Sequence, residues 1–130
     1  MLEKGYEAVK EFHKAFNAPV GEEPHVFGKK DVRRRVEWMN EEITEFIQAE
    51  NIYEQCDALT DLIYFALGTF VEMGVNPDKL FNIVQEANMS KLWADGKARY
   101  REDGKILKPE TWVDPEPKIR AEIDRQSQRE

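Results

Sequence analysis

At 130 residues, with 41% hydrophobic and 35% charged side chains, the chain has the length of one domain with its own core and the polarity of a soluble protein. A formal net charge of −7 and a pI near 5.0 argue against the whole chain being a binder of nucleic acid or of an anionic membrane surface. No apolar run approaches the roughly 18 residues of a membrane span, the opening MLEKGYEAVKEF lacks the apolar core of a signal peptide, and one cysteine with two histidines gives neither a disulfide nor a supported zinc site, so a cytoplasmic protein is expected.

Periodicity points to helices throughout. The first runs from Leu2 to Phe16, with Tyr6, Val9, Phe12, His13 and Phe16 on one face, and is broken by Asn17-Ala18-Pro19 and the stretch from Gly21 to Pro24. A second is expected from near Asp31, read as its N-cap, to about Ala49, with Val36, Met39, Ile43, Phe46 and Ile47 as a core stripe. The third runs from about Tyr53 to Met73 and stops at Gly74, with Cys56 packing as a small hydrophobe. Asn76-Pro77-Asp78 opens a fourth, whose expected buried side carries Leu80, Phe81, Val84 and Ala87. From Asp95 the texture changes. Asp95-Gly96-Lys97 and Asp103-Gly104-Lys105 are two turn signals, a hairpin or simply two turns, and a charged tail with helical character follows Pro115.

Five carboxylates stand out on this frame. Glu41, Glu42 and Glu45 lie in EEITE on the second helix, and Asp57 and Asp61 in DALTD on the third, each set at helical spacing. Acidic residues so spaced are common on solvated faces, but Trp38, Glu42, Glu45 and Ala49 form a second stripe beside the apolar one, so these glutamates share a face with apolar groups. Asp61 is the one charge between Ala58 and Val71, a run apolar on nearly every side and therefore read as buried. An ionised carboxylate there needs a metal or a cationic partner, for which Arg33-Arg34-Arg35 offers arginines. Asp57 and Glu54 fall on the same side as Asp61, and stacked carboxylates repel unless cations hold them, which favours metal. Oxygen-only ligands suit hard ions such as Mg2+, with Mn2+ as a substitute.

The order EExxE, a short connection, then an acidic pair running into LIYFALG resembles the all-α nucleoside triphosphate pyrophosphohydrolases, which include MazG, dimeric dUTPases and phosphoribosyl-ATP pyrophosphohydrolase. The stretch ANMSKLWADGKARYREDGKILKPETW is similar to a MazG-like, phosphoribosyl-ATP pyrophosphohydrolase-like branch. One position departs from the pattern. The family's second motif is ExxD before the apolar run, and if Asp61 is its Asp then Ala58 stands at the Glu place, leaving Asp57 one residue earlier; otherwise Glu54 to Asp57 is the motif and Asp61 is additional.

The resemblance implies an all-α, four-helix, bundle-like subunit with an irregular segment after residue 95 and a short tail helix, acting as a homodimer or homotetramer. It implies Mg2+ held by Glu42, Glu45, Asp57, Asp61 and Glu54, and cleavage of the α–β phosphate bond of a nucleotide with release of pyrophosphate. Glu41 or Glu42, if not fully engaged in coordination, could accept the proton of the attacking water. Asn88 and Lys91 of NMSK, and Lys97 in the tail, are candidates for phosphate or base contact, and Trp38, Tyr64 and Phe65 could stack on a base. Two other readings stand beside this one: a non-catalytic helical interaction protein using the Trp38 stripe, and a nucleic-acid module built on Lys29-Lys30 and Arg33-Arg34-Arg35, which the net charge disfavours.

Overall fold

The structure, a computed structural model, describes residues 1–127. It contains five helices: α1 (Glu3–Ala15), α2 (Lys29–Gln48), α3 (Ile52–Met73), α4 (Asp78–Met89) and α5 (Glu116–Ser127). No strand forms among the described residues, so the molecule is all-α as its periodicity predicts. No single helix is long and apolar enough to cross a membrane. The chain divides into two compact units, Leu2–Pro77 and Met1 with the segment from Asp78 onward.

In the first unit α3 packs against both α1 and α2. Tyr6 and Val9 of α1 meet Leu67 and Val71 of α3 in a buried cluster, with Val20 and Phe70 packed on it. The ends of α3 follow from local chemistry. Asn51 caps its start, the side-chain oxygen accepting from the Glu54 N–H at 2.9 Å while the Glu54 carboxylate accepts from the Glu50 N–H at 3.1 Å. Gly74 ends it at φ 73°, the left-handed conformation that favours glycine. The connection between α1 and α2 is laced to this end, Gly21 N–H donating to Val71 O at 2.9 Å and His25 N–H to Met73 O at 3.0 Å. A Cβ on Gly21 would lie 2.5 Å from the Gly74 nitrogen, so only glycine permits the approach.

Several packing expectations are corrected. The N-cap of α2 is Gly28, not Asp31, because the helix begins at Lys29, three residues before the Val32 start that an Asp31 cap implies. Its expected core stripe is largely open in the single chain, with Val36 43% and Ile47 75% exposed, and the buried residue of α2 is Arg35. The apolar run of α3 is likewise covered only in part, Ile63 being 58% exposed. The physical reason is simple: α1 and α2 cover only part of a helix that is apolar on nearly all sides. Phe12 and Phe16 of the expected α1 face are exposed as well, and Cys56 is a free, exposed thiol rather than a core residue.

In the second unit α4 packs on α5. Of the expected α4 face only Ala87 is buried, while Phe81 and Val84 are exposed. Both Asp-Gly-Lys signals are tight turns with left-handed glycines, Gly96 at φ 77° and Gly104 at φ 87°. In each the aspartate accepts from the lysine N–H two residues on, at 3.0 Å for Asp95 and 3.1 Å for Asp103. An antiparallel bridge, Tyr100 to Ile106, flanks the second turn. Glu122 of α5 is buried, and the hydrogen bonds of Arg125 hold its carboxyl down at about 2 against the pull of burial.

Candidate functional site

Glu42 and Glu45 lie three residues apart on α2, and Asp61 faces them from α3. One carboxylate oxygen from each falls within 4.8 Å of the others. That lies within the ~4–5 Å that two oxygens sharing one hard cation can span. Glu42 is the innermost. Its Oε2 is sealed from solvent and has no hydrogen-bond partner. Burial first, then the Glu45 carboxylate and the charges of Asp61 and Asp57, push its carboxyl up to about 7. A sealed anionic oxygen among like charges is unfavourable, and a divalent cation relieves both the desolvation and the repulsion. The three groups therefore fit a hard metal ion, by donor type and by the orphaned oxygen alike.

The other sequence candidates of the first unit lie on the same two helices as this cluster. Asp57, one turn before Asp61, is exposed and lines an acidic hollow of about 380 Å³ with Glu45, Gln48, Ala49 and Glu54. Glu54 already has partners in the helix cap, the Glu50 N–H and the Asn51 amide. Glu41 is exposed on α2, in an open hollow that it lines with Glu37, Asn40, Thr44 and the cluster's Glu45. In the second unit Asn88 and Lys97 are exposed and Lys91 is half-buried.

One turn from the carboxylates, towards the α2 N-terminus, α1, α2 and α3 border a cavity of about 270 Å³ lined by Phe12, His13, Trp38, Tyr64, Phe65 and Gly68. Trp38 and Phe65 stand 5.8 Å apart, and Phe12 meets the Tyr64 ring edge-on at 5.7 Å. The guanidinium carbons of Arg34 and Arg35 each sit 5.0 Å from the Trp38 ring.

These arginines pair not with Asp61 but with Glu72, at 2.7 Å from Arg34 and 2.9 Å from Arg35, and Arg35 and Glu72 are both buried. Burial alone would raise the Glu72 carboxyl; hydrogen bonds from Arg34 and Arg35 overcome it and hold the group below its usual range. Asp61 is thus left to the carboxylate cluster. In the sequence Glu72 carries one signal, its place as the first charge after the apolar run.

The sequence profile of phosphoribosyl-ATP pyrophosphohydrolase matches residues 9–88, the span that carries both acidic segments. The chain belongs to this family. A candidate NTP pyrophosphohydrolase from Exiguobacterium sp. 255-15, known from a crystal structure at 1.78 Å, is 34% identical with a TM-score of 0.54, over 93% of this chain and 94% of that one. No curated protein matches. Family and fold together make this chain a nucleotide pyrophosphohydrolase.

Proposed function

We propose that the protein is a Mg2+-dependent nucleoside triphosphate pyrophosphohydrolase that cleaves the α–β phosphate bond of a ribo- or deoxyribonucleotide and releases pyrophosphate. The observation carrying this reading is the convergence of Glu42, Glu45 and Asp61 around a sealed, unpartnered carboxylate oxygen. These three would hold Mg2+, or Mn2+ in its place, with Asp57 beside them and Glu54 at the edge of the acidic hollow. The bound ion supplies countercharge for the triphosphate and for the leaving pyrophosphate.

The chain's own groups do the rest. Glu41, or the Glu42 oxygen not engaged in coordination, accepts the proton of the attacking water. Trp38 offers its face to the base from the cavity wall, about 6 Å along α2 from Glu42 at 1.5 Å per residue. Asn88, Lys91 and Lys97 contact phosphate or base, a proposal resting on the NMSK and DGK segments alone. The apolar side chains left open on α2 and α3, Val36, Ile43, Phe46 and Ile63 among them, support a homodimer or homotetramer in which a second copy covers them.

The test is pyrophosphate release from a nucleotide panel that includes phosphoribosyl-ATP, with Mg2+ present or chelated. Release confined to Mg2+ or Mn2+ is expected. No release from any member, together with no divalent-ion binding by calorimetry, would leave the helical interaction protein as the better reading.

A further inference from the structure

The seam between α2 and α3 is polar at both ends, and the charges act in opposite senses. Arg35, Trp38, Glu42 and Glu45 follow one another on α2 at intervals of three and four, the spacing of one helix face. At one end of that face Glu42 and Glu45 meet Asp61, three acidic groups that repel when ionised unless a cation joins them. About two turns nearer the α2 N-terminus the arginines meet Glu72, and there the charges attract. Arg34 grips both carboxylate oxygens, Nη1 donating to Oε1 at 3.1 Å and Nη2 to Oε2 at 2.7 Å, and Arg35 Nη2 lies 2.9 Å from Oε1.

Little else holds α2 at one place along α3. Between the two ends Trp38 meets Phe65, their rings 5.8 Å apart. Arg35 is the one buried residue of α2 among those described, and the apolar stripe beside it is largely open. Apolar contact is non-directional and tolerates sliding, whereas a carboxylate held by two planar guanidinium forks has a defined geometry. The Arg35 side chain is also seated closely on α3. A Cβ on Gly68 would lie 3.0 Å from Arg35 Nη1, so the glycine lets the guanidinium pack against the helix.

We infer that Glu72 is a positioning residue for the metal site: by clamping Arg34 and Arg35 it fixes where α2 stands along α3, and so sets Glu42 and Glu45 opposite Asp61. Mg2+ demands near-ideal octahedral geometry, so a slide of α2 by about 1–2 Å, the size of ordinary helix shifts, spoils the site. The inference rests on the metal reading above and adds the group that keeps the two ligand-bearing helices in register. Glu72 acts through the arginines and not as a ligand.

Mn2+ affinity and a distance across the seam decide it without turnover. Mn2+ is titrated calorimetrically into metal-free protein at a temperature where melts show each variant folded. Glu72→Gln should bind Mn2+ about tenfold or more weakly with every carboxylate of the cluster in place, the order lost when a group that orients metal ligands is removed. Glu72→Asp, which keeps the charge, should recover part of that affinity. Arg34→Lys keeps a charge without the two-point grip and should fall between wild type and Arg34→Gln. Val9→Ala, in the core between α1 and α3, destabilises the same unit away from the seam and should bind Mn2+ as wild type does. For the distance, one spin label goes on Cys56, an exposed thiol of α3, and a second on exposed α2 surface through Lys30→Cys. The narrow distance expected in this background should shift or broaden when Glu72→Gln is added. If Glu72→Gln does not fold, the Arg34 variants carry both measurements. Unchanged Mn2+ affinity or an unchanged label distance in the folded variants overturns the assignment, as does equal weakening in Val9→Ala. Wild-type protein that binds no Mn2+ overturns the metal reading instead, and the label distances, taken without metal, tell the two failures apart.

Discussion

Glu42 shows how the surroundings of one carboxyl group translate into measurable behaviour. Its folded-state carboxyl sits at about 7 against an ordinary 4.5, so between those values the metal-free folded protein holds a proton that the unfolded chain has released. Stability depends on the difference in bound protons, and here the folded state binds more. Metal-free protein should therefore lose stability as pH rises from about 4.5 to 7, a decline that melts in EDTA would record and that Glu42→Gln should flatten. The role of the cluster in turnover is a separate matter. Asp61→Asn, Glu42→Gln and Glu45→Gln should each lower kcat by about a hundredfold or more, the usual order for a lost ligand or base, while Glu11→Gln on exposed α1 surface changes nothing. Equal rates in all four proteins would return the EEITE segment to solvated surface. Glu72 answers to different physics. Glu72→Gln leaves buried Arg35 without its countercharge and should cost about 3–5 kcal/mol in urea unfolding; a loss under 1 kcal/mol would show that Arg35 finds another partner.

At the scale of elements, legibility followed the range of the forces involved. The end of α3 at Gly74 was readable because a left-handed residue is a local requirement. Its neighbourhood sharpens that requirement, since a Cβ on Gly74 would come 2.4 Å from Glu23 O. Gly74→Ala should then cost at least the ~1–2 kcal/mol of the left-handed conformation, seen as a lower urea midpoint with the first helix unit most affected. A midpoint unchanged from wild type would mean the connection can move aside. Asp31 misled in the opposite way. It is a good capping residue, yet Gly28 in extended conformation precedes the first turn and Asp31 pairs with Arg34 instead. Capping preference is a bias of about 1 kcal/mol, and packing of the whole helix outweighs it. The stripes of α2 and α4 were correctly periodic, but periodicity states which side chains share a face and not how much of that face this chain covers.

For the molecule as a whole, metal and stability should be linked. A cation that binds only the folded protein stabilises it by RT ln(1 + [L]/Kd), about 2.7 kcal/mol at a hundredfold excess over Kd. Saturating Mg2+ or Mn2+ should raise the melting temperature by several degrees, and Asp57→Asn with Asp61→Asn should erase the gain. A melting curve indifferent to millimolar Mn2+ would count heavily against the metal site. The sequence by itself determined the helical class, the approximate extent of the helices, and the two acidic segments that identify the family, because all of these are written in local spacing. Only the tertiary structure decided that Glu42, Glu45 and Asp61 converge, that Arg34 and Arg35 pair with Glu72 and leave Asp61 to the cluster, and that Phe12, Trp38, Tyr64 and Phe65 border one cavity. Each of these is a contact between helices, set by the rotation of α1 and α2 about α3, and spacing along a single helix carries no information about that rotation.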